Sequence, residues 1–433
     1  MDLEEYRRRA RTWLEANAQD GPDGRAGGAS DPGGVAAAKE FMAKLYDAGY
    51  SGITWPAEWG GQGLTQAEER AFAAEAAAFT LPTYVFSIGL GMCGPTLVDL
   101  GTDAQRRRHL RPLLRGEEIW CQLFSEPAAG SDVAALQTRA AATDGGWVVD
   151  GQKVWTSVAQ HADWGLLLAR TDADVPKHKG LTMFIVDMHA PGVTVRPLRD
   201  MTGRAHFNEI FFDGVHIPAE NVVGRVGDGW NCAVTTLLHE RLSISSGVGM
   251  GGQKDNPVAF EALRRTADTA DPVVRDRLVE LHIRSRALAL FNQRLAQETK
   301  AGIFPGARGS AAKLLLAELT MFQADLATSL AGPEAVAWIE DGPGDASPGG
   351  TGNGEGPGAG AGTGDGAGGD GGKAGGGGLA HAVSLAPAMA LGGGTNEIMR
   401  NIVSERVLNL PPEPRTDKNV PFKELRTSGE APR

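Results

Sequence analysis

Near Ile119 the chain changes texture, and near Gly229 it changes back. Segments 3–16, 35–48, 66–79 and 102–114 read as amphipathic or Ala- and Glu-rich helices, the last with Thr102 or Asp103 as its N-cap. From 119 to about 226 the pattern becomes short β-prone runs at 147–155, 165–169, 181–186, 193–195 and 209–217, separated by Gly, Asp and Pro. Short strands with regular turn signals predict a β-barrel or sandwich. Helical texture returns over 230–250, 272–300, 310–331 and 395–408. The expected architecture is mainly α with a central β domain: a helical domain at 1–120, a β domain at 121–226, a helical domain at 227–410 and a tail at 411–433.

One stretch stands outside that scheme. Residues 341–378 hold 20 of the 60 glycines in a chain of 433 residues. With almost no apolar side chains, the stretch has nothing to bury against its ordering entropy, so it is expected to be a disordered surface insertion. Lys and Arg total 42 against 53 Asp and Glu, a formal charge of -11, which argues against a nucleic-acid surface. No run approaches the length of a membrane-spanning helix, and the acidic start, Met1-Asp2-Leu3-Glu4-Glu5, is not that of a secretory signal. Cys93, Cys121 and Cys232 are odd in number and far apart. They suggest neither a disulfide framework nor a metal site, and a cytoplasmic location is the natural expectation.

Four segments carry candidate chemistry. Trp120 to Asp132 leads from a β-prone run into a Pro/Gly/Ser turn that can present N–H groups and hydroxyls to an anionic ligand, or can simply be a turn stabilised by Ser131 and Asp132. In Lys153-Val154-Trp155-Thr156-Ser157 an indole adjoins two hydroxyls, which suits a planar heteroaromatic ring as well as it suits a half-buried strand. On the helix from Trp230, residues Trp230, Ala233, Val234, Leu237, Ile244 and Val248 share one face. Arg241 falls near its centre and Glu240 at its flank. Charges there imply an ion pair or a function. Finally, Gly392-Gly393-Gly394 open a helix start that suits a phosphate or carbonyl oxygen.

Taken in order, these segments resemble the acyl-CoA dehydrogenase family over nearly the whole chain. The resemblance rests on Gly52-Ile53-Thr54-Trp55-Pro56 with Gly60-Gly61, and on the run from Gly94-Pro95-Thr96 to Asp132 with Ser125-Glu126-Pro127 and Gly130-Ser131-Asp132. It continues in 153–157, His239-Glu240-Arg241-Leu242 and 393–398. It implies an N-terminal helical domain, a small β-barrel and a C-terminal four-helix bundle. It also implies FAD as cofactor and the α,β-dehydrogenation of an acyl-CoA thioester to the trans-2-enoyl-CoA, with hydride passing to flavin N5. Electrons would then go to an electron-transferring flavoprotein. By position, Leu123, Ser125, Ser131, Trp155, Thr156, Ser157, Thr395 and Glu397 correspond to flavin contacts. Ser131, Arg241 and Gly394 correspond to substrate contacts, the last through its N–H to the thioester oxygen. No metal is implied.

Two departures matter. Where many members carry the catalytic Glu, immediately before Gly-Thr, this chain has Gly393. A minority place the base before an Arg on the bundle helix, which here is Glu240 before Arg241, so Glu240 is the expected base and Arg241 the residue that orients the site. The Arg-x-Phe-Gly-Gln run that reaches a neighbouring subunit's FAD is missing from 251–277. Actinobacterial-type members acting on sterol side chains share this look, and some form heteromeric tetramers. The implied assembly is therefore a homo- or hetero-oligomer, dimer or tetramer. The alternatives are a non-catalytic or half-site subunit of a heteromer, and a flavin monooxygenase of the same fold.

Overall fold

The computed structural model of the chain describes residues 2–20, 32–246, 258–301, 303, 306–336, 376–415 and 417–425. In the N-terminal domain, α1 (Leu3–Asn17) buries Tyr6, Ala10 and Leu14, one residue per turn. A two-residue strand after it, β1 (Gln19–Asp20), pairs antiparallel with β2 (Phe79–Thr80). Helix α2 (Pro32–Asp47) starts before the expected 35, because a proline at a first helical position has no N–H to satisfy. Helices α3 (Gln66–Ala76) and α5 (Asp103–Arg115) each open on a capping box, Thr65 with Glu68 and Thr102 with Gln105. Between them lie a π-helical turn, Gly89–Cys93, and α4 (Gly94–Leu100). Periodicity had not revealed the turn, since five residues with two glycines carry no period.

The β domain is one sheet of eight strands: β3 (Trp120–Leu123), β4 (Arg139–Thr143), β5 (Gly146–Ser157), β6 (Trp164–Arg170), β7 (Leu181–Asp187), β8 (Val193–Leu198), β9 (Phe207–Pro218) and β10 (Val222–Val223). The order is β10-β7-β6-β4-β5-β9-β8, with β3 parallel to β6, and the end strands β10 and β8 are not paired with each other. Strands β6 and β7 are buried on both faces, which explains their unbroken apolar runs.

The C-terminal domain holds α6 (Gly229–Ser246), α7 (Phe260–Thr266), α8 (Pro272–Lys300), α9 (Arg308–Ala331), α10 (Gly376–Leu385), α11 (Ala388–Leu391) and α12 (Asn396–Arg406). Helix α9 packs against α6, α8 and α12. Leu281, Leu288 and Leu295 of α8 meet Ala312, Leu319 and Leu326 of α9, a seam of seven-residue spacing in both helices. Among the described helices of 18 or more residues, α9 alone is long and apolar enough to cross a membrane, and its place in the bundle accounts for that composition. The expected disordered insertion at 341–378 lies outside the described residues except for Gly376–Gly378, which open α10.

The tail returns to the β domain. Phe422 N–H donates to Val175 O at 2.9 Å and Lys423 N–H to Ala173 O at 3.0 Å. The Arg170 guanidinium lies 3.3 Å from the Phe422 ring centroid, and Lys177 Nζ bridges Asp132 (2.6 Å) and Asp417 (2.5 Å).

Candidate active site

The loop after β3 is built on a buried ion pair. Glu126 accepts from Gln137 N–H (2.6 Å), Thr138 N–H (2.9 Å) and Lys153 Nζ (2.8 Å), while Lys153 also donates to Phe124 O at 3.0 Å. Both side chains are buried. Burial pulls the Glu126 carboxyl upward, but the lysine and the N–H donors outweigh it and hold it below its ordinary value. Burial pushes Lys153 down against the pull of Glu126. The pair fixes the path of the chain through the 125–138 loop. Leu123 ends β3 fully buried, Ser125 is half-buried with its carbonyl accepting Val154 N–H at 2.9 Å, and Ser131 is exposed on the turn.

Strand β5 is interrupted beside this loop. Its register against β9 slips between Lys153 and Thr156, and Trp155 sits there at φ 60°, outside the ordinary strand region. The bulge turns the indole outward. Trp155 is 57% exposed, set edge-on to Phe207 with centroids 5.7 Å apart. Next to it Thr156 Oγ1 is buried and has no hydrogen-bond partner, as are Asn208 Oδ1 and Gln122 Oε1. Asn208 Nδ2 donates to Thr156 O at 3.1 Å, and Ser157, half-buried, ends the strand. An exposed indole beside buried polar atoms with open valences fits a planar ring bearing hydrogen-bonding heteroatoms, as an isoalloxazine does.

Across from β3 stands α6. Its buried face runs through Gly229, Cys232, Ala233, Thr236 and Glu240, while Val234 is 39% exposed. The apolar count had put Arg241 at the centre of the inward stripe and Glu240 at its flank, and the helix is rotated from that. Thr236 fixes the rotation, taking a hydrogen bond from Thr96 Oγ1 at 3.0 Å and donating to Cys232 O at 3.0 Å. A residue scored as polar is therefore a packing residue. Glu240 is 9% exposed and accepts from Gln122 Nε2 at 3.3 Å. Burial raises its carboxyl above the ordinary value, with Gln122, Arg241 and Lys313 offsetting only part. Arg241 is half-buried, and its Nε is buried with no hydrogen-bond partner. Burial lowers its guanidinium against the favourable charge of Glu240, and Arg406 of α12 adds to the lowering.

The glycine turn before α12 completes the group. Gly393 and Gly394 take φ 67° and 93°, which glycine adopts without steric cost, and a Cβ on Gly394 would lie 2.5 Å from Met399 Cε. Thr395 caps α12, accepting from Ile398 N–H at 3.2 Å. Glu397 is exposed in the first turn and pairs with Arg400 at 3.5 Å. Sequence reasoning missed Lys313, buried on α9, whose Nζ donates to Gly394 O at 2.5 Å. Its signal was present: one charge inside Ala311-Ala312-Lys313-Leu314-Leu315-Leu316. Gln122 and Glu126 lie within the Trp120–Asp132 run, and their contacts with Glu240 and Lys153 have no signal in the sequence pattern.

An exposed indole beside buried polar atoms, and a buried carboxyl on α6, are features that suit a flavin-dependent oxidoreductase. Models of the acyl-CoA dehydrogenase N-terminal, middle and C-terminal domains match residues 2–117, 121–215 and 227–355. The acyl-CoA dehydrogenase IpdE1 of Mycobacterium tuberculosis is 34% identical over 417 residues, 95% of this chain and 99% of that protein. The chain belongs to the acyl-CoA dehydrogenase family, whose cofactor is FAD. The acyl-CoA dehydrogenase FadE34 of the same organism is 46% identical over 272 residues, 63% of this chain but 37% of that longer protein. Among solved structures, the ChsE4-ChsE5 complex from Mycobacterium tuberculosis has a TM-score of 0.71 at 28% identity, covering 94% of this chain and 97% of that one.

Proposed function

We propose that the protein oxidises the Cα–Cβ bond of an acyl-CoA thioester to the trans-2-enoyl-CoA, with Glu240 as the base that takes the α proton. The observation that carries this reading is the state of Glu240: buried, bonded by a single amide, and raised above the ordinary carboxylate range. A base must be poised to accept a proton, and a carboxylate locked in an ion pair is not. Gly393, at the alternative position, has no side chain to serve. Gly394 N–H is assigned to the thioester oxygen, where it favours the enolate character that proton removal creates. Arg241 sits beside the base with an unused donor, Nε, available to orient the site. Trp155, Thr156 and Ser157, with Leu123, Ser125 and Ser131 on the facing loop and Thr395 and Glu397 at α12, are assigned to hold FAD. When bound, FAD accepts the hydride that leaves Cβ.

Electron-transferring flavoprotein is the proposed acceptor beyond FAD. A second reading, a subunit that works only with a homologous partner, is favoured by the exposed stripe Val279, Ile283 and Leu290 along α8 and by the two-chain assembly of the ChsE4-ChsE5 relative. One experiment separates the two. Flavin bound to the protein purified alone should bleach without oxygen when straight-chain, branched or sterol-derived acyl-CoAs are added. Glu240→Gln should slow that bleaching about 10²- to 10⁴-fold. Colourless protein that takes up flavin only with a partner would favour the subunit reading. Bleaching at the normal rate in Glu240→Gln would remove Glu240 as the base.

A further inference from the structure

Lys313 is 1% exposed, in the middle of an apolar run on α9. An ammonium taken out of water costs several kcal/mol, and a single carbonyl bond does not offset that. The favourable charges acting on it are those of Glu240 and Glu397, while burial works against its charged form. Among the described residues its hydrogen bond goes to the carbonyl of Gly394, in a turn where successive glycines at positive φ leave the backbone little restraint of its own. Fixing that carbonyl limits rotation about the Gly394 Cα–C bond and so anchors, on its α12 side, the turn that presents the Gly394 N–H. The same side chain thus holds the glycine turn and carries a charge that acts on Glu240.

We propose that Lys313 is a positioning residue for the dehydrogenation: its ammonium pins the Gly394 turn that receives the thioester oxygen and places a positive charge on α9, the helix packed against the one that carries Glu240. The proposal rests on the reading of Glu240 as base. The other groups around Glu240 are Arg241 on its own helix, Gln122 from β3 and the Cys93 thiol from the π-helical turn. Arg406 of α12 acts on Arg241, and Glu397 of α12 acts on Lys313. Of these, Lys313 is the cation that also binds the glycine turn. The two effects separate by substitution, because glutamine keeps a donor for Gly394 O and drops the charge, methionine drops both, and arginine keeps both.

The test is the infrared carboxyl band of Glu240 in the FAD-loaded enzyme, assigned by difference against Glu240→Gln and followed as pH rises. Lys313→Met and Lys313→Gln should move its titration midpoint upward by about one pH unit, and Lys313→Arg should leave it in place. KM for the acyl-CoA should rise about ten-fold in Lys313→Met and far less in Lys313→Gln, which restores the bond to the turn. A midpoint unmoved in both Met and Gln variants overturns the proposal. If Lys313→Met does not fold, the Gln and Arg pair decides alone. A shifted band together with undiminished bleaching by Glu240→Gln would sink the base assignment while leaving the Lys313–Glu240 coupling standing.

Discussion

Two buried lysine–glutamate couples, one in the β domain and one in the helical bundle, are used in opposite ways. Lys153 and Glu126 touch at 2.8 Å, and the carboxylate is further held by two backbone N–H groups. Lys313 acts on Glu240 without a bond between them, its hydrogen bond spent on Gly394 instead. The first carboxyl is held below its ordinary value and the second above it. Contact and donor number, not residue type, decide the outcome. A carboxylate with three donors stays ionised and builds a loop, whereas one with a single amide is left ready to take a proton.

The largest effect expected from breaking this contrast is on the locked pair. Lys153→Met leaves Glu126 buried and uncompensated and should cost about 3–5 kcal/mol in urea unfolding. Smaller, and opposite in sign, are the two carboxyl-to-amide changes. Glu126, depressed in the fold, contributes stability that is complete above the ordinary carboxylate range and is lost as pH falls through its lowered folded value. Glu240, raised in the fold, costs stability as pH climbs past the ordinary carboxylate value, and the cost is complete above its raised folded value. Near neutral pH, Glu126→Gln should therefore lower Tm and Glu240→Gln raise it, and both differences should shrink in acid. Equal signs at neutral pH would end the comparison. The smallest effect is at the ring cradle. Thr156→Val removes a buried hydroxyl with no partner, so flavin-free protein should gain up to about 1 kcal/mol, while FAD should be held a few-fold more weakly by equilibrium dialysis.

The fold was largely legible because its helices and strands are long enough to carry a period. The helix over 272–300 and the strands around Trp147, Leu181 and Glu209 fall where the pattern put them. What escaped were features decided by single contacts. The rotation of α6 depends on Thr236 meeting Thr96, which hydrophobicity does not score. The outward turn of Trp155 depends on one extra residue in β5. Glu240, Trp155 and Gly394 stand out in the sequence, and the roles given to them are those the resemblance implies. Lys313 was passed over because a lysine on a helix reads as a solvated charge, although its apolar neighbours marked it, and only the bundle reveals that its side chain is buried.

The tail that returns to the β domain has a consequence for how the molecule is made. Phe422 and Lys423 close the backbone of 173–175, and Asp417 shares Lys177 with Asp132 of the 125–138 loop. A growing chain exposes the loop between β6 and β7 well before residues 417–423 leave the ribosome. The β domain must wait, with Arg170 and Lys177 lacking those partners, until the whole bundle has been synthesised. Synthesis that stops short of 417 leaves the Ala173–Lys177 loop uncovered, a natural first cut for a protease clearing unfinished chains.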